Sequence, residues 1–127
     1  MSKKLITILA SAVALMGVTA APAAAMISLD AKSNVRYMVC GEGPATIEYN
    51  NVYGNYEWAD VDLSRGCWFY DFYNGSDEFG YPDGAAWADV NVTDEDGGPV
   101  RCVVWVNGVI EGRASDNSDY YSYASCY

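Results

Sequence analysis

The chain has 127 residues, none of them histidine, with seventeen acidic against seven basic side chains. The missing histidine excludes Ser-His-Asp and Cys-His nucleophile arrangements, the usual catalytic zinc ligand sets and the ordinary general base near neutral pH. A formal charge of −10 sets the surface against phosphate backbones and anionic lipid headgroups, which argues against a nucleic-acid partner.

Lys3 and Lys4 open the chain ahead of an apolar run from Leu5 to Val18. Pro22 and Ala23-Ala24-Ala25 then supply a helix breaker and a small-residue cleavage pattern. Residues 1–25 therefore read as a signal peptide cut after Ala25. The competing reading is an uncleaved N-terminal anchor, because Leu5 to Ala25 approaches the roughly 20 apolar residues that a spanning helix requires. Its abundance of Ala, Gly, Thr and Pro makes a weak membrane core. Under either reading residues 26–127 are secreted or held at the cell envelope, outside the cytoplasm, and suit a single domain. Without Lys3 and Lys4, five basic residues (Lys32, Arg36, Arg65, Arg101 and Arg113) face all seventeen acidic ones, and the formal charge moves to −12. Such a charge keeps a tyrosine-rich exported domain soluble.

Helix signals are almost absent after residue 25, whereas short β-branched and aromatic runs bounded by Gly, Asn, Asp and Pro recur. Strands are expected at 35–40, 45–50, 56–62, 67–73, 86–93, 100–106, 109–113 and 120–126, a spacing that points to an all-β antiparallel sandwich of about seven or eight strands. Asn107-Gly108 predicts a two-residue type I′ hairpin, which needs positive φ at both positions. Asp96-Gly97-Gly98-Pro99 predicts another turn, a polar hairpin closing the strand that ends at Thr93.

Period-two alternation assigns faces. Trp68, Tyr70 and Phe72 form a core row, with Cys67, Phe69, Asp71 and Tyr73 opposite. Ala86, Ala88, Val90 and Val92 point inward, leaving Trp87, Asp89, Asn91 and Thr93 outside. Val100, Cys102, Val104 and Val106 likewise point inward, with Arg101, Val103 and Trp105 outward. Four cysteines in an oxidising compartment read as two disulfides with three possible connectivities. Cys102 and Cys126 share a core phase, while Cys40 and Cys67 fall on more polar rows, which favours Cys102 with Cys126 and Cys40 with Cys67.

No cofactor is expected. The cysteines lack Cys-x-x-Cys spacing and their setting favours oxidation, so no metal site is expected either. Among the carboxylates, Glu48, Glu57, Asp60 and Asp62 invite comparison with a glycosidase pair, but Glu57 and Asp60 are out of phase on a strand. Asp94-Glu95-Asp96-Gly97 lacks the alternating ligands and final Glu of an EF-hand. The positive signal is aromatic: eleven Tyr, four Trp and three Phe. Outward Trp87, Trp105, Phe69 and Tyr73 are candidates for an exposed binding patch. The alternative is that these rings pack under loops or across strands and stabilise the sheets.

Val35-Arg36-Tyr37-Met38-Val39-Cys40-Gly41 and Ala45-Thr46-Ile47-Glu48-Tyr49 resemble the first strands of the small mycobacterial membrane proteins called MmpS. Arg101-Cys102-Val103-Val104-Trp105-Val106-Asn107-Gly108-Val109 and Tyr123-Ala124-Ser125-Cys126 are similar to that family's closing hairpin and last strand, with its pair of cysteines. The resemblance implies an immunoglobulin-like β-sandwich in an actinobacterial envelope, with the Cys102 and Cys126 positions bonded. It also implies a non-enzymatic accessory to RND-type transporters of lipids or siderophores. The function expected is thus non-enzymatic engagement of a protein or envelope partner through an aromatic sheet face. The alternative is a free-standing carbohydrate- or small-ligand-binding module in which Trp87, Trp105, or Tyr53 and Tyr56 with Trp58, stack on a glycan.

Overall fold

The structure, a computed structural model, describes residues 27–75, 85 and 87–127. The leader and cleavage site expected at 1–25 lie outside the described residues. Ten strands follow in order: β1 (Ile27–Ser28), β2 (Ser33–Gly41), β3 (Pro44–Asn50), β4 (Tyr56–Asp62), β5 (Trp68–Asn74), β6 (Trp87–Ala88), β7 (Val90–Asp94), β8 (Val100–Val106), β9 (Val109–Asp116) and β10 (Ser122–Cys126). A 3-10 turn at Leu63–Arg65 links β4 to β5, capped by the Asp62 carboxylate, which accepts the Ser64 N–H at 3.0 Å.

Two four-stranded antiparallel sheets, ordered β5-β2-β8-β9 and β10-β7-β3-β4, carry the fold as a sandwich, and a two-residue β1–β6 ladder lies beside them. In one sheet β2 pairs with β5, and in the other β3 lies between β4 and β7, with β7 pairing β10. These are the neighbour relations of strands B with E and of C′, C, F and G in immunoglobulin-like sandwiches. The β8–β9 hairpin takes the place beside β2 that strand A holds there.

Alternation explains the core. Val35, Tyr37 and Val39 of β2 and Val100, Cys102 and Val104 of β8 face Ala45, Ile47 and Tyr49 of β3, Val90 and Val92 of β7, and Ala124 and Cys126 of β10. One end is aromatic, where Tyr37, Tyr49, Trp68, Tyr70 and Phe72 meet with ring centroids 4.8 to 6.3 Å apart. Tyr37 is fully buried, and its hydroxyl is satisfied twice: it donates to the Asn50 carbonyl at 2.7 Å and accepts the Asp89 N–H at 3.3 Å. Burial pushes this phenol well above the usual tyrosine range.

The disulfides are those the strand phases favour. Cys102–Cys126 crosses between the sheets, joining buried positions of β8 and β10 with Cα atoms 6.2 Å apart. Cys40–Cys67 instead staples one sheet, tying β2 to the residue before β5 with Cα atoms 4.4 Å apart, at the surface.

Several local expectations change. The strand expected at 86–93 is divided at Asp89: β6 pairs with β1, and β7 with β3 and β10. At the division the Asp89 carbonyl accepts the Asn50 N–H at 2.9 Å and its own N–H turns to Tyr37. Asn107 and Gly108 take φ of 52° and 81°, the tight hairpin that their sequence predicts. The Asp96-Gly97-Gly98-Pro99 turn is not a hairpin, because β7 and β8 belong to different sheets and the turn arches between them. Gly97 is required there: at φ 82°, a Cβ would stand 2.2 Å from the Asp119 carbonyl oxygen. That close approach holds residues 117–121 against the arch, with the Gly98 N–H donating to the Ser118 carbonyl at 2.8 Å. Consequently β10 begins at Ser122 rather than residue 120, and Tyr120 is left 86% exposed.

Candidate functional site

The outward residues of the β5-β2-β8-β9 sheet fall into cross-strand rows. Tyr73 of β5 stands opposite Asn34 of β2. The next row runs Asp71, Arg36, Trp105 and Ile110, the next Phe69, Met38, Val103 and Arg113, and Cys40, Arg101 and Ser115 follow. Phe69 and Tyr73 are 49% and 52% exposed, while Trp105 is half-buried. Val103, outward by phase, is only 6% exposed, since Met38 and Arg113 flank it in the register.

Arg36 organises this face. Its Nε and Nη2 donate to the two Asp71 carboxylate oxygens at 2.7 and 2.8 Å, the planar fork that arginine forms with a carboxylate. Hydrogen bonding to Arg36 holds the Asp71 carboxyl below its ordinary range, and the same contact raises the guanidinium. The guanidinium carbon also lies 5.1 Å from the Phe69 ring centroid, within cation–π range. Beside it opens a shallow cleft of about 660 Å³ lined by Asn34, Arg36, Asp71, Tyr73, Trp105 and Gly108. Its far wall is fixed by paired bonds between β2 and the β8–β9 turn: the Asn34 N–H donates to Asn107 Oδ1 at 2.9 Å and the Asn107 N–H to the Asn34 carbonyl at 2.7 Å.

Three of the four aromatic candidates, Phe69, Tyr73 and Trp105, thus share one face, drawn from β5 and β8 with β2 between them. Trp87 does not join them. It stands exposed on the β1–β6 ladder, where its carbonyl accepts the Asn50 side-chain amide at 2.7 Å. Sequence reasoning missed Arg36, Asp71 and Met38 as members of the site. Their outward phase was readable, but the strand order that lays β2 between β5 and β8 is not written in any local pattern.

The opposite outer face, on β10-β7-β3-β4, differs in chemistry. Its rows are Ser125, Asn91, Glu48 and Trp58, then Tyr123, Thr93, Thr46 and Asp60. Trp58 is 67% exposed, with exposed Tyr56 and Tyr123 on the same face. The Tyr56 hydroxyl donates to Asp89 Oδ2, which pushes the Tyr56 phenol up to about 12. Asp89 is raised by burial, and its buried Oδ1 has no hydrogen-bond partner among the described residues. Glu57 and Asp60 stand on opposite faces of β4. Glu57 has the inward phase at the sheet edge but stays exposed, accepting from the Tyr49 hydroxyl at 3.0 Å and from the Asn51 amide, whereas Asp60 accepts the Thr46 hydroxyl at 2.9 Å on the outer face. The two are not placed to share a substrate.

No known protein-family model matches the chain. No curated protein matches it either.

Proposed function

We propose that the chain is a non-enzymatic, MmpS-like, extracytoplasmic binding domain that engages a protein or envelope partner through the outer face of the β5-β2-β8-β9 sheet. The observation that carries this reading is the Phe69–Arg36–Asp71 unit, flanked by Tyr73 on β5 and by Trp105 on β8. Aromatic residues and arginine dominate the energetics of protein contacts, and an arginine already held by a carboxylate and a ring loses less freedom on docking. Two disulfides suit an oxidising compartment. The accessory role in lipid or siderophore export rests on the MmpS resemblance alone.

Co-sedimentation of the oxidised protein with the envelope fraction tests the reading. Tyr73→Ala and Trp105→Ala should each weaken retention at least tenfold, with Trp58→Ala unchanged. Retention that is indifferent to both substitutions overturns it. The second reading, a glycan-binding module, is favoured by Trp58, Tyr56 and Tyr123 lying open beside Glu48 and Asp60 on the other face. Tryptophan-fluorescence changes with purified polysaccharide, abolished by Trp58→Ala, would select it.

A further inference from the structure

The sandwich sorts its charges. The outward positions of β2, β8 and β9 carry Arg36, Arg101 and Arg113, three of the five basic residues after the leader. Among the described residues only Asp71 opposes them on that face, and it is bound to Arg36. The other acids of that sheet sit aside: Glu111 lies in the β9 bulge, in a cleft that Ile27 and Val109 line, and Asp116 accepts the Tyr123 N–H of β10 at 2.9 Å. The opposite sheet contains no Lys or Arg, and its outer side presents Glu48, Asp60 and Asp62 beside exposed Trp58, Tyr56 and Tyr123. One molecule therefore has an arginine-and-aromatic face and, on its other side, a carboxylate-and-aromatic face.

We infer that copies of this chain stack, the arginine-bearing face of one docking on the acid-bearing face of the next. Both faces share one lattice, with strands about 4.8 Å apart and same-side residues about 6.8 Å apart along each strand, so guanidinium and carboxylate groups can oppose one another across the contact. The net negative charge does not forbid this. Charges beyond about 8 Å are screened at physiological salt, so the facing surfaces, not the whole-molecule sum, decide the contact. Flat aromatic rings on both faces supply apolar area between the ion pairs. Four strands by about seven residues make a face of roughly 450 Å², hence about 900 Å² buried per contact, below the ~1,200 Å² at which stable complexes begin. The contact is weak and reversible. Because the two surfaces differ and point in opposite directions, it is heterologous and does not close into a ring, so each added copy leaves a fresh face for another.

Sedimentation velocity on the purified oxidised protein, from about 10 μM to about 1 mM and at about 150 mM and about 1 M salt, tests this. At low salt the weight-average mass should at least double across the range and keep rising; at high salt it should stay monomeric. R101E with R113E, and E48K with D60K, should each remain monomeric alone, while an equimolar mixture of the two variants should regain salt-sensitive growth, because the intact faces pair as before and the two reversed faces are again opposite in charge. The salt comparison on the unmodified chain holds even if a variant fails to fold. A chain monomeric under all conditions, growth indifferent to salt, or growth that ends at a dimer overturns the stack. The inference uses the same face as the proposed envelope contact, and the two fail separately. A monomeric chain whose envelope retention still depends on Tyr73 and Trp105 removes the stack alone, whereas salt-sensitive stacking without envelope retention removes the proposed function alone.

Discussion

Removing one oxygen from the centre of the sandwich should cost more than its size implies. Tyr37→Phe keeps the ring among Tyr49, Tyr70 and Phe72 but deletes the hydroxyl that joins the Asn50 carbonyl to the Asp89 N–H. Each lost hydrogen bond is worth about 1 kcal/mol and each buried group left without a partner about 1–3 kcal/mol, so with Asn50 buried and Asp89 half-buried the expected loss is about 2–3 kcal/mol. For a domain of this size that corresponds to a Tm lower by about 10–20 °C. Urea denaturation of the oxidised protein should show a lower midpoint with an unchanged slope, because the surface exposed on unfolding is the same. Tyr70→Phe is the control: its half-buried hydroxyl only accepts the Val52 N–H at 3.2 Å, and its loss should cost less than about 1 kcal/mol. Equal losses in the two variants, or a Tyr37→Phe loss under about 1 kcal/mol, would refute the assignment of Tyr37 as the polar pin of the core.

The two disulfides close similar spans, 24 and 27 residues, so chain entropy gives each about 3–4 kcal/mol. Graded reductant with alkylation and mass measurement should nevertheless open the surface Cys40–Cys67 bridge first and Cys102–Cys126 only with global unfolding. Gly97→Ala should destabilise by about 3 kcal/mol or more in thermal melts, since a Cβ there meets backbone, whereas Gly108→Ala, equally left-handed but facing open space, should cost only about 1–2 kcal/mol. Alkaline titration supplies a further check: Tyr37, Tyr49 and Tyr56 are all raised above 10.0, the latter two to about 12. Groups raised in the folded state contribute stability that is complete below their unfolded value and is lost as pH climbs through the folded one. Urea midpoints should therefore fall between about pH 10 and pH 12, with the phenolate absorbance of fully buried Tyr37 appearing only as the protein unfolds.

What the sequence made legible was whatever depends on a residue and its immediate neighbours. Alternation in 100–106 placed Cys102 inside, and the need for two positive φ angles placed the turn at Asn107-Gly108. Alternation also put Phe69, Tyr73 and Trp105 outside, but not on one face, because that requires knowing that β2 lies between β5 and β8. Turn chemistry located the Gly97-Gly98 bend without showing whether it joins strands of one sheet or of two, since glycine serves both. The β1–β6 ladder has two residues a side, too short for any periodicity, and so the division at Asp89 and the separation of Trp87 from the other aromatics were invisible. Whole-chain charge hid most: a formal −10 gives no sign that three arginines gather on one side.

Among the described residues no strand pairs with the outer margin of β4, and Glu57 gives that margin a guard. An incoming chain that extended the β10-β7-β3-β4 sheet by pairing with β4 would cover this exposed carboxylate, whose side-chain partners among the described residues are the Tyr49 hydroxyl and the Asn51 amide. Stranding an anion there is costly, which discourages amyloid-like lateral growth in a tyrosine-rich protein. With Glu57→Val that barrier would vanish, and fibril formation under agitation would be the expected penalty.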